Sequence, residues 1–285
     1  MLQTNRDRLV AISVIGEVAS PRAPFDPLRV GNDGVGRNLP GSGGITYNVR
    51  IGDTAMGWAG DHVEPGVTIK NKNEMENGAL QSLSCVGNQA TVVGGDAKGA
   101  KGYVTGTHGG IEHLICYFDS DALESLVVGD KIQVRAMGQG LELVDHPEVK
   151  IKNIDPDLFE KLGLSADGDD VKVPVSAVIP PQLMGSGLGA TSERGDYDIV
   201  TNDLTIHEKY GLGELRLGDV VAINDHDNTV GRAYREGAVT VGVIVHADSF
   251  ASGHGPGVTT LLTSRTGKLK PVIDKTANIA RYLGV

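Results

Sequence analysis

The densest group of titratable side chains lies toward the C-terminus, in INDHDNTVGRAYREGAVTVGVIVHADSFASGHGPGV, residues 223–258. It holds Asp225, His226, Asp227, Arg232, Arg235, Glu236, His246, Asp248 and His254. The run 238–245 is almost wholly apolar, as expected of a strand buried on both faces, and it leads directly into His246 and Asp248. A spacing of two puts these side chains on one face of an extended chain. Asp225 and His226 follow a second apolar run, 219–223. If the two strands pair with their polar ends together, His226, His246 and Asp248 make a ligand set for a divalent ion such as Zn²⁺, Mn²⁺ or Fe²⁺. Asp225, His226 and Asp248 then stand as candidate catalytic groups, with Arg232 or Arg235 orienting an anionic group. His254 sits in a Gly-Pro-Gly loop whose backbone N–H groups suit an anion. The competing reading is turn chemistry, because Asp and His before a turn bond back to the backbone and HxD is far less specific than HExxH.

Two further clusters carry histidine. THGGIEH contains His108, Glu112 and His113, with His108 placed before two glycines where an imidazole is available to a ligand. GDHVEP contains Asp61, His62 and Glu64 and follows the glycine-rich GNDGVGRNLPGSGG, residues 31–44. That stretch lacks the Walker lysine and is followed by ITYNVRI, a strand pattern, so it does not read as a phosphate loop, which needs a helix N-terminus. It reads as a long loop over a site, with Arg37 facing an anionic ligand. PGVT occurs twice, at 65–68 and 256–259, each time just after a histidine, His62 and His254. Four residues do not establish a duplication. No G-x-S-x-G elbow supports a serine hydrolase.

The elements that must position these residues are mostly strands. Forty glycines in 285 residues, about twice the usual share, are spread among short Val/Ile/Thr/Leu runs at 8–15, 45–51, 90–93, 111–118, 131–136, 171–179, 219–223, 238–246 and 258–263. Helical signals are few and short: 121–126, the stretch beginning Asp155-Pro156, 202–211 and a last segment near the C-terminus. The expected fold is mainly β, with few short helices. Polar punctuation at 145–170 places a boundary between an N-terminal β domain, 1–150, and a C-terminal β-rich domain, 151–285.

Residues 87–104 fit G-x-x-A-x-V-x-x-G-x-x-K-G-x-x-G-x-V at Gly87, Ala90, Val92, Gly95, Lys98, Gly99, Gly102 and Val104. The segment resembles the KOW motif of ribosomal proteins and transcription elongation factors. The resemblance implies an SH3-like small barrel, here at about 75–140, beside a larger β domain. It also raises an RNA-binding module using Lys98 and Lys101. Charge opposes that partner: the chain carries a formal −10, and nucleic-acid binding draws on clustered Lys and Arg. GNQATVVGGDAKGAKGYVTGTHGGIEH, GQGLEL and GHGPGV further resemble a prokaryotic family catalogued as domain of unknown function 4438, a likeness that runs nearly end to end and implies a β-rich fold without assigning chemistry.

Cys85 and Cys116 sit in apolar runs without a CxxC and read as buried, reduced thiols of a cytoplasmic protein. The N-terminal NRDRLVAISVIGEVAS mimics a leader peptide, but Glu17 follows the apolar stretch at once and a first strand fits better. No segment reaches the roughly 20 apolar residues of a membrane helix. Three functions remain: a small-molecule enzyme, favoured as a metal-dependent hydrolase or lyase; an RNA- or ribosome-associated module; and a non-catalytic oligomer. A homo-oligomer is expected, and membrane or nucleic-acid partners are not.

Overall fold

The short apolar runs of the N-terminal half close into a barrel. In the computed structural model, which describes residues 2–22 and 28–285, its strands are β1 (Ile12–Val18), β2 (Gly66–Lys70), β3 (Gln89–Val92), β4 (Lys101–His108), β5 (His113–Tyr117) and β6 (Lys131–Ala136). They run in the order β1-β6-β3-β4-β5-β2, and β2 returns to β1 through Glu17↔Lys70 and Val18↔Ile69. Among the described residues only these two pairs join β2 to β1, and Ile45–Thr46 adds to the remainder of β2. Val18, Ile69, Val104, Leu114 and Ile132 fill the interior. A helix, α1 (Glu74–Leu83), lies against β1 and is capped by Asn73, whose side chain accepts from the amides of Met75 and Glu76. Gly16 permits that packing, because a Cβ there would stand 2.9 Å from Leu80 Cδ2.

The barrel differs in extent from the 75–140 expected. β3 to β6 lie where the KOW-like segment and the following runs put them, but the cylinder is completed by β1 and β2 from upstream. Of the run 45–51, only Ile45–Thr46 pairs as a strand. Helix α1 was not expected: Gly78 and its polar neighbours leave no apolar stripe, although Asn73 followed by Glu76 is a capping signal. The four expected helices form at Ser120–Ser125, Pro156–Lys161, Leu204–Lys209 and Ile279–Leu283.

The C-terminal half is built on a second sheet. Its strands are β7 (Ala177–Ile179), β8 (Tyr197–Asp198), β9 (Val220–Asp227), β10 (Ala233–His246) and β11 (Gly257–Ser264), in the order β7-β9-β10-β11 with β8 also on β11. β7 runs parallel to β9, and the other pairs are antiparallel. Lys150–Ile151 joins β11 from the far side. A small third sheet holds Ser165–Asp167, Asp170–Val175 and Leu269–Ile273.

The two sheets meet at β4. A Cβ on Gly106 would fall 2.1 Å from Val245 Cγ1, so glycine allows the barrel wall to press onto β10. Beside it the Thr107 amide donates to Thr259 Oγ1 (3.2 Å) and the Thr107 hydroxyl donates to the Gly195 carbonyl (2.9 Å). These bonds bring the end of β4 against the start of β11.

Cys85 and Cys116 are free and fully buried, and burial pushes both thiols far above the usual range. Neither is expected to react with a thiol-specific chromogenic reagent in the native protein at pH 8, and both should react in denaturant. Rapid native labelling would contradict this packing.

Candidate functional site

Glu64, fully buried, sits at the junction. Its Oε2 accepts from the Gly43 amide (2.6 Å) and the Thr68 hydroxyl (2.7 Å), while Oε1 lies 2.6 Å from His108 Nδ1 and 3.1 Å from His113 Nδ1. Burial alone would raise its pKa, but the two imidazoles outweigh burial and hold the carboxyl well below the usual range. His108 and His113 face each other across the β4–β5 hairpin, where they form the terminal register pair. With Nδ1 engaged by Glu64, His108 keeps Nε2 for another partner.

That partner lies in a buried triad, His108, Asp196 and His246, whose ligand atoms all fall within 4.8 Å of one another. Asp196 Oδ1 accepts from the Gly109 amide (2.7 Å), and His246 Nδ1 donates to the Ala247 carbonyl (2.8 Å). The other atom of each, Asp196 Oδ2 and His246 Nε2, approach to 2.7 Å. The two atoms form a buried ion pair that lies outside hydrogen-bond geometry. Burial opposes charge on His246, yet Asp196 and Asp198 raise its pKa well above the ordinary imidazole value. Gly257 pairs with His246 and must be glycine: a Cβ would meet Asp196 Oδ2 at 1.9 Å and His246 Nε2 at 2.2 Å.

A second triad, His62, Asp198 and His254, stands beside the first. His62 Nε2 lies 3.0 Å from His254 Nδ1 and 3.5 Å from Asp198 Oδ2, and His254 Nδ1 lies 2.9 Å from the same oxygen. His62 adopts a left-handed φ of 55°, unusual for a non-glycine residue. It is held there by its amide donating to the Asp248 carbonyl (3.1 Å) and by Asp61 Oδ1, 3.3 Å from Nδ1. The triads adjoin: the His62 and His246 rings are centred 5.1 Å apart, those of His108 and His246 4.2 Å apart, and Asp198 Oδ1 lies 3.6 Å from His246 Nε2. Asp196 and Asp198 emerge on one side of the extended chain while Tyr197, between them, is buried in the C-terminal core. Both carboxyls are held low against the opposing effect of burial, Asp196 chiefly by His246 and Asp198 by His246, His254 and His62.

A cavity of about 480 Å³ opens onto these groups, lined by His62, His108, Asp196, Asp198, Arg232 and His254 among others. Arg232 is itself buried. Its Nη2 donates to the Arg194 carbonyl (2.7 Å) and its Nε has no partner. Burial lowers its pKa, and the nearby carboxylates, Asp196 first, oppose that.

Of the residues singled out from sequence, the structure gathers His108, His246, His254 and Arg232, and with them Asp61, His62, Glu64 and His113. The set His226, His246 and Asp248 does not converge. Because β9 and β10 are antiparallel, His226 pairs with Tyr234 at the start of β10, and His246 closes the opposite end. His226 is a buried histidine whose pKa burial lowers; Nε2 faces the Pro181 carbonyl at 3.4 Å. Asp225 stabilises the bulge in β9, accepting from the Gly237 amide (2.7 Å), and is not a base at the site. Arg235 is exposed on the hairpin. Arg37 pairs with Asp33 (2.8 Å) and stacks 4.3 Å over Phe250, lining a different cavity. Asp248 supports His62 through its backbone and supplies no ligand atom to either triad. Asp196 and Asp198 were missed: GDYD forms a strand of only two residues, and its alternating carboxylates were the available signal.

Burial raises the pKa of Asp248. A folded-state pKa above the unfolded one stabilises the fold below the ordinary carboxylate range, and that contribution is lost as pH rises through the folded value. Asp248→Asn should therefore raise Tm at pH 7 by on the order of a few degrees, with the gain vanishing on acidification toward pH 3. A lower Tm at pH 7 would show that ionised Asp248 is favourably paired.

Family models described as "Domain of unknown function (DUF4438), N-terminal" and "Domain of unknown function (DUF4438), C-terminal" match residues 28–160 and 161–283. No curated protein matches. A solved structure described as "Crystal structure of TM1086" is similar at 50% identity with a TM-score of 0.95, over 99% of this chain and 99% of that one. The chain belongs to the DUF4438 family, whose function is unassigned.

Proposed function

We propose that the protein is a metal-dependent hydrolase of an anionic small molecule, with a metal ion at His108, Asp196 and His246. The observation that carries this reading is the buried convergence of the three ligand atoms within 4.8 Å of one another, in which His246 Nε2 and Asp196 Oδ2 face each other at 2.7 Å outside hydrogen-bond geometry. A divalent cation would satisfy both atoms together with the third ligand, His108. Two imidazoles and a carboxylate suit Zn²⁺, Mn²⁺ or Fe²⁺ and leave further positions for water, as in hydrolytic sites. The surroundings fit this role. Glu64 fixes His108 by its Nδ1 and the Ala247 carbonyl fixes His246 by its Nδ1, the outer-shell bonds that orient metal-binding imidazoles. A bound ion would lower the pKa of its water, and Arg232, buried at the cavity wall, would hold the anionic group of the substrate.

Elemental mass spectrometry on protein purified without a histidine tag tests this directly. At least one equivalent of metal is expected in the wild type and in His226→Ala, with about one equivalent fewer in His108→Ala and Asp196→Asn. A wild type that neither retains metal nor takes it up from Zn²⁺, Mn²⁺ or Fe²⁺ would overturn the proposal.

A further inference from the structure

We infer that a second metal ion sits beside the first, at His62, Asp198 and His254, and that the resulting two-metal centre cleaves phosphate esters. The inference rests on the first ion proposed above and extends it. Ligand atoms of the second triad lie within 4.8 Å of one another, as in the first. The outer support is repeated: Asp61 stands behind His62 at 3.3 Å as Glu64 stands behind His108 at 2.6 Å. With Nδ1 turned to Asp61, His62 presents Nε2 toward His254 Nδ1 at 3.0 Å and Asp198 Oδ2 at 3.5 Å. Asp198 then faces both groups, Oδ2 toward His254 (2.9 Å) and Oδ1 toward His246 Nε2 (3.6 Å), the placement of a carboxylate that spans two ions. Metal pairs in hydrolytic enzymes stand about 3.5–4 Å apart and clamp the attacking and leaving oxygens of an in-line displacement.

Charge selects the substrate class. Two divalent ions and Arg232 give five positive charges, against two from Asp196 and Asp198 and two more from Asp61 and Glu64 behind the histidines. The excess suits a phosphate group, and Arg232 lines the cavity with a guanidinium that can donate to its oxygens. In the reaction a water oxygen bonds to phosphorus and the bond from phosphorus to the ester oxygen breaks. The alcohol leaves carrying a proton that balances the one lost by water, without an oxidant or co-reactant.

The test is the metal-to-protein ratio after loading with Mn²⁺ and desalting, read together with the electron paramagnetic resonance spectrum of the same sample. The wild type should hold two ions and show exchange-coupled manganese. His254→Ala and Asp198→Asn should hold one, uncoupled, and Arg232→Met should keep both while raising KM for p-nitrophenyl phosphate or bis(p-nitrophenyl) phosphate about tenfold or more. One ion in the wild type overturns the second site and leaves the first standing, whereas none overturns both. Two ions retained in His254→Ala would place the second elsewhere and overturn the assignment. The wild-type spectrum decides even if a variant fails to fold. A two-metal protein that turns over neither ester overturns the substrate class.

Discussion

A buried carboxylate must be compensated on every side, and Glu64 is the point on which the junction of this molecule depends. Taking an ionised carboxylate out of water costs several kcal/mol, and removing one partner of such a group typically costs about 3–5 kcal/mol. Glu64 meets that cost with a backbone amide from the glycine-rich loop, a hydroxyl from β2 and two imidazoles from the β4–β5 hairpin. One side chain thereby joins the loop to the barrel and sets the orientation of His108. The hairpin that carries these imidazoles is held from another side as well: Glu112 takes a φ of 59°, and its carbonyl accepts from Asn77 and Gln81 of α1. The helix therefore braces the turn between the two histidines that hold Glu64.

Against that fixed barrel rim the C-terminal sheet approaches more closely than side chains would ordinarily allow. Gly106 admits Val245, and Gly257 admits Asp196 and His246. Glycine costs conformational entropy in a strand, and at these two positions the return is backbone proximity. It puts groups from six separate segments into one small volume. The site belongs to neither half alone, which accounts for its mixture of barrel histidines and sheet carboxylates.

Much of this was legible in the residues. Apolar runs bounded by glycine located β5 and β9 to β11, where burial on both faces leaves that pattern; β3 and β6 showed as shorter runs, and β4 followed from the KOW-like hairpin. His246 stood out at the end of an apolar strand, His108 before two glycines, His254 in its Gly-Pro-Gly loop and Arg232 as a cation in the same polar stretch. The repeated PGVT after His62 and His254 also proved informative: each leads into a strand, β2 and β11, and the two imidazoles meet at 3.0 Å. What could not be read was direction. Whether polar strand ends coincide depends on parallel or antiparallel pairing, which no local pattern encodes, and so His226 and Asp225 were grouped with His246 and not with Tyr234 and the bulge. Asp196 and Asp198 were hidden for another reason, since a strand of two residues has no periodicity to detect.

The circular pairing of the barrel bears on the order in which the molecule can be made. β1, near the N-terminus, is closed by β6, so the cylinder has all its strands once the chain has reached Ala136. The cluster of histidines needs residues as far apart as His62 and His254. Non-local pairings of this separation form slowly, because the intervening chain must be closed first. A nascent chain therefore has its barrel well before it has its site, and His62 and His108 wait on the rim of that barrel until the last long hairpin, β10 and β11, docks over them.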